Sequence, residues 1–137
     1  MFNLEDDKIA DTADLELKRA NGAPMVDADG NRCSITIYGP GSKQQVTAKA
    51  ESKRRIRRKL EAAGGNVYAV EDNEEDDLHF LATITASFNN FEYPEPKGEK
   101  FSTKNDMFKA CYSDPKRAYI RTQVENFYGE WGNFAKG

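Results

Sequence analysis

The chain is poor in the residues that most often carry chemistry: one histidine, two cysteines and one tryptophan among 137 residues. Nowhere does it hold an apolar run long enough to span a bilayer. Its opening, Met1-Phe-Asn-Leu-Glu-Asp-Asp-Lys8, has no basic region followed by an apolar one, so neither secretion nor membrane insertion is expected. Cys33 and Cys111 are far apart, without CxxC or metal-ligand spacing, and are expected as reduced, packed thiols in a protein folded in the cytoplasm. His79 stands between Leu78 and Phe80 with no serine or cysteine partner that the sequence identifies, which predicts a surface or half-buried histidine rather than a catalytic base. No nucleophile elbow, paired metal-binding histidines or dinucleotide-binding glycine turn occurs. The expectation is a protein that is not an enzyme and needs no cofactor or metal.

Two stretches imitate ligand loops and fail on spacing. Gly39-Pro-Gly-Ser-Lys43 lies between a strand pattern and a helix pattern, but a phosphate-binding loop needs four residues between its first glycine and Gly-Lys-Ser/Thr, so that several amides converge on phosphate. Asp27-Ala-Asp-Gly-Asn31 begins like a calcium loop, yet the sixth position is Arg32 where glycine is needed and the twelfth is Tyr38 where a glutamate should bind. It is read as a hairpin turn.

What the chain does have is charge, sharply segregated. Overall, 31% of residues are charged and 38% hydrophobic, with a formal net charge of −3, which describes a soluble chain that is not a general polyanion binder. Its length suits one domain with a modest core. Ser42 followed by Gln45 reads as a capping box that opens a helix ending near Gly64-Gly65. Along it Val46, Ala50, Ile56 and Leu60 fall on one narrow arc, and eight lysines and arginines against two glutamates leave a local charge of +6. Glu71-Asp-Asn-Glu-Glu-Asp-Asp77 then supplies six carboxylates and no base, read as a solvated linker. The two runs can meet within a chain or between subunits, so self-association is expected.

Alternation at Asp14–Lys18 and Arg32–Tyr38, with a further short strand near Pro24–Val26 and a turn at Asp29-Gly30, predicts a small N-terminal antiparallel sheet. The predicted fold is α+β: a flexible acidic arm over 1–12, then a single domain over 13–137 with a sheet or hairpin at 13–38 and three to four helices at about 42–63, 77–89, 103–112 and 115–128. Leu78, Leu81, Ile84, Thr85 and Phe88 mark the most hydrophobic helix, and Met107, Phe108 and Cys111 a shorter one. Asp114 and Pro115 suit the start of the last, whose stripe Ile120, Val124, Phe127 and Trp131 runs into the aromatic group Phe127, Tyr128, Trp131 and Phe134.

That last segment, with Tyr119, Ile120, Arg121, Gln123, Val124, Phe127, Asn133 and Phe134, resembles the tail assembly chaperones of long-tailed, siphovirus-type bacteriophages. The order upstream agrees over roughly residues 32–134: a short strand Ser34–Tyr38, Gly39–Ser42, a charged helix, a hydrophobic helix, and a segment such as Phe101–Tyr112. Tyr119 stands where many relatives carry tryptophan, and the acidic stretch before Asp77 is also a departure. The resemblance implies a chaperone that binds the tape measure protein in the host cytoplasm, keeps it soluble and promotes assembly of tail tube subunits around it, and is absent from the finished virion. The expected contacts are Tyr119, Tyr128, Trp131 and Phe134, assisted by Arg54, Arg55 and Arg58. Two alternatives stay open: a structural tail or head–tail joining protein retained in the virion, and a nucleic-acid-binding regulator using the basic helix 43–60.

Overall fold

The computed structural model describes residues 1–65, 74–95 and 100–135. Among these the chain forms a three-stranded antiparallel sheet, β1 (Thr12–Glu16), β2 (Ser34–Tyr38) and β3 (Thr85–Asn89), and four α-helices, α1 (Lys43–Ala62), α2 (Glu74–Thr83), α3 (Lys104–Ser113) and α4 (Ala118–Phe127). It is an α+β fold, with β2 central in the order β1-β2-β3. Alternation decides the faces of β2. Ile35 and Ile37 are fully buried and join Leu17, Ile84, Phe108 and Val124 in the core, while Ser34 and Thr36 take the other side. There Thr36 donates to Asp14 at 2.6 Å, and the Asn89 amide donates to Ser34 and Thr36 at 3.0 and 2.8 Å.

The third strand comes from a segment that periodicity assigns to a helix. Residues 77–89 were expected as one helix, but α2 stops at Thr83 and Thr85–Asn89 pairs with β2. Leu78, Leu81 and Ile84 do face the core at helical spacing, which explains the expectation. Near its end Thr83 donates its hydroxyl to the carbonyl of His79 and Thr85 to that of Leu81, both at 2.7 Å, back-bonds that weaken and bend a helix, and the Leu81 carbonyl is the one that Thr85 N–H would use in a further turn. Ile84 then gives its own carbonyl to Tyr38 N–H at 2.8 Å, and the chain continues along the open edge of β2. The expected sheet at 13–38 is therefore completed from outside that range. Upstream, Glu74–Asp77 are the first turn of α2 rather than linker, where carboxylates oppose the helix dipole favourably; Glu71–Asn73 lie outside the described residues.

Near Pro24–Val26 there are isolated bridges, Lys18 with Pro24 and Val26 with Arg32, instead of a strand; Pro24 has no N–H to extend a ladder. Asp27 closes the following turn by accepting from the amides of Asp29 and Asn31, and Gly30 takes a positive φ of 85°, as a hairpin turn requires. At the N-terminus, the segment expected as an arm over 1–12 bonds to the domain before it ends. Ala10 N–H donates to the carbonyl of Phe134 at 2.8 Å, Ile9 bridges Ala135, and Ile9 packs on the core.

Helix α1 opens as the capping pattern predicts, with Gln45 N–H donating to Ser42 Oγ at 3.1 Å. The Gln45 side chain does not return to Ser42. It is fully buried and its amide donates to the carbonyls of Tyr38 and Tyr128 at 2.9 and 3.1 Å, tying α1 to the ends of β2 and α4. The expected helix over 115–128 begins instead with a 3-10 turn, Pro115–Arg117, and is α-helical from Ala118. Asp114 caps this turn through Lys116 N–H and also accepts from Tyr93 at 2.8 Å and Arg117 at 2.5 Å.

Candidate partner-binding surface

The seven residues expected to meet a partner do not form one patch. Ile120 and Val124 are buried along α4 as the stripe predicts, but the stripe breaks at its end. Tyr128 closes the helix, and Trp131–Phe134 form a separate 3-10 turn. That turn separates the two terminal aromatics, both of them expected as contacts. Phe134, expected as a contact, is only 1% exposed: it meets Phe127 edge-on at 5.4 Å and lies so close to Gly39 that a Cβ there would stand 2.7 Å from its ring. It is a core residue. Trp131, the chain's only tryptophan, is 60% exposed.

Tyr128 is half-buried, packing edge-on against Phe80 of α2 at 5.3 Å, and burial pushes its phenol pKa up. Tyr119 is half-buried at the other end of α4, beside a shallow pocket shared with Met25, Tyr93 and Arg117. Of the expected aromatic contacts, only Trp131 is presented freely to solvent.

The three arginines are together but unequal. Arg54 and Arg58 are exposed, whereas Arg55 is half-buried and lies 3.8 Å from Asp76 of α2. Lys59 also pairs with Asp76, and His79 faces Glu51 at 3.8 Å. The basic and acidic runs thus meet across α1 and α2 within one chain. Arg54, Arg55, Arg58, Glu51 and His79 line an open cleft of about 360 Å³. His79 has its pKa lowered, first by burial and then by Arg55 and Lys109, so it is the neutral imidazole that is favoured there. The Tyr128 carbonyl accepts from Gln45 of α1, nine residues before Arg54 and so about 14 Å along the helix.

A surface to which the sequence gives no facing is on α1. Its inward row is Gln45, Ala48, Ser52, Arg55 and Lys59, buried or half-buried. The apolar arc is divided: Val46 and Ile56 are 57% and 55% exposed, while Ala50 and Leu60 are half-buried. Ion pairing to α2 and the reach of Gln45 decide the helix's rotation, and the signal for this in the sequence is the acidic run that follows a helix so rich in base.

Cys33 and Cys111 are free and buried, and desolvation pushes the Cys111 thiol up to about 11. Among the described residues no group of three or more His, Cys, Asp or Glu is placed to hold a metal ion, and no helix is long and apolar enough to cross a membrane. Comparison with protein-family models, curated proteins and solved structures finds no match for this chain.

Proposed function

We propose that this chain is a bacteriophage tail assembly chaperone: it binds the tape measure protein in the host cytoplasm, keeps that protein soluble and promotes tail tube assembly around it. The observation that carries the reading is Trp131, exposed at 60% in a segment whose neighbour Phe134 is anchored in the core. A large indole held in water by a rigid support contributes little to folding, and such residues are enriched at protein contacts. The C-terminal resemblance suggests the partner, and exposed apolar residues at two separate places, Trp131 at one and Val46 and Ile56 at the other, support the reading. A long helical client offers the same face repeatedly. Many copies binding weakly can cover that face and still be displaced by incoming tube subunits. Arg54 and Arg58 remain as charge contacts, while Arg55 is engaged by Asp76.

Mass spectrometry of purified particles tests the assignment against a structural tail or head–tail joining protein. A chaperone is missing from the particle; stoichiometric presence of this chain supports the structural role instead. The cleft of Arg54, Arg55, Arg58 and His79 favours, as a second reading, a nucleic-acid-binding regulator. Tight, steeply salt-dependent retention on DNA or RNA that is lost on replacing Arg54 and Arg58 supports that reading over the first.

A further inference from the structure

Shifting the inward row of α1 by one residue turns it by about 100° and gives Val46, Lys49, Lys53, Ile56 and Leu60, the three- and four-residue spacing of a helix–helix seam. Most of this row is open to solvent: Val46, Lys49, Lys53 and Ile56 are exposed, and Leu60 is half-buried. It runs along a helix of 20 residues, about 30 Å long. Among the described residues, neither lysine of the row nor the flanking Lys43, Arg54, Arg57 and Arg58 forms an ion pair, in contrast to Arg55 and Lys59 on the inward side.

We infer that this row of α1 is a docking face for an acidic amphipathic helix of another protein, with apolar residues set against Val46, Ile56 and Leu60 and carboxylates against Lys49 and Lys53. Charge selects this occupant. A second copy's α1 would oppose lysine with lysine. A second copy's α2 carries Glu74, Glu75 and Asp77, but its apolar residues Leu78, Leu81 and Ala82 are already buried and Phe80 is half-buried against Tyr128, so little apolar face is left to give. A phosphate backbone would be served by the lysines and arginines, yet it gains nothing from Val46 and Ile56 standing among them. The surface suits a helix-in-groove contact in which apolar anchors give affinity and the lysines exclude partners of the wrong sign. It stands on α1 alone and does not depend on the client being a tape measure protein.

The test uses the full chain and three labelled probes followed by fluorescence anisotropy: a designed helix three heptads long with leucine at its seam and glutamate around it, the same helix with every glutamate changed to lysine, and a DNA duplex. The acidic helix is expected to bind and the basic one not. Replacing Val46 and Ile56 together by serine should weaken binding at least about tenfold. K49E with K53E should reverse the preference toward the basic helix. Circular dichroism of each variant checks that α1 is intact. Equal binding of both helices, indifference to V46S/I56S, or binding of DNA in preference to the acidic helix overturns the proposal. Binding that emerges only when residues 66–73 are replaced by a Gly-Ser linker overturns it too, in favour of a chain that covers its own helix. If the acidic helix binds as expected but a tape measure protein stays insoluble, the chaperone reading falls and this one stands.

Discussion

Replacing Phe134 by alanine separates a folding residue from a contact residue at the end of the chain. The ring is 1% exposed and packs on Phe127 and over Gly39, while the Phe134 carbonyl holds Ala10 N–H at 2.8 Å. Truncating a buried phenylalanine costs about 3–5 kcal/mol when the surroundings cannot collapse. Here the site lies close to a terminus and can relax in part, which places the expected loss near the lower end, about 3 kcal/mol. For a domain of this size, stability is about 5–15 kcal/mol and urea slopes are about 1–3 kcal/mol per molar, so the midpoint should fall by roughly 1–3 M. Trp131→Ala, at 60% exposure, should change stability by no more than about 0.5 kcal/mol. Gly39 sharpens the test. A methyl there stands 2.7 Å from Phe134 Cδ1, so Gly39→Ala should destabilise the native chain by about 1–3 kcal/mol, and far less once Phe134 is alanine. Urea titrations of the four proteins in this cycle give the coupling directly. A cost below about 1 kcal/mol for F134A, or strict additivity with G39A, would refute the placement of Phe134 in the core and return it to the contact surface.

Three other outcomes follow from the same packing. Gln45→Ala removes both amide donations to Tyr38 and Tyr128 and leaves those carbonyls unpaired, so chemical denaturation should show a loss of about 2–4 kcal/mol, although no apolar side chain is touched. Asp114 has its pKa lowered by the Tyr93 hydrogen bond first and then by Arg117, so its contribution is complete above the unfolded value of about 3.9 and is lost as pH falls through the lower folded value; Asp114→Asn should flatten that part of the pH–stability profile, measured by urea midpoints at successive acidic pH values. Cys33 and Cys111 are 3% and 1% exposed, so a thiol reagent at neutral pH should label neither at an appreciable rate until denaturant is added, as mass spectrometry of quenched samples can follow.

Local chemistry made much of this fold legible. The alternation of Cys33, Ile35 and Ile37, the Asp27–Asn31 turn, the Ser42 cap and the helix carrying Phe108 and Cys111 all occur as their residues imply, because each depends on neighbours within a few positions. What failed depends on partners distant in sequence. Ile84 to Phe88 keeps a helical spacing of apolar residues, yet pairing along the open edge of β2 makes Thr85–Asn89 a strand, with Thr85 bonding back to the Leu81 carbonyl at the junction. The apolar arc of α1 is legible but its facing is not, because the inward row is held by Asp76 pairing with Arg55 and Lys59 and by Gln45 reaching Tyr38 and Tyr128. The aromatic tail gives no sign that its chain reverses at Tyr128–Glu130, burying Phe134 and exposing Trp131. Of the seven expected contact residues, that reversal moves one into the core, and Phe80 and Asp76 partly occupy Tyr128 and Arg55.

Co-expression of this chain with the longest helix-rich protein encoded just downstream of its gene, followed by the soluble fraction and stoichiometry of the co-purified complex, tests the chaperone reading most directly. The expected result is a soluble partner carrying many copies of this chain, with solubility lost on Trp131→Ala while the isolated variant stays folded. A partner that remains insoluble and unbound beside the well-folded wild-type chain, or one solubilised equally by W131A, would contradict it.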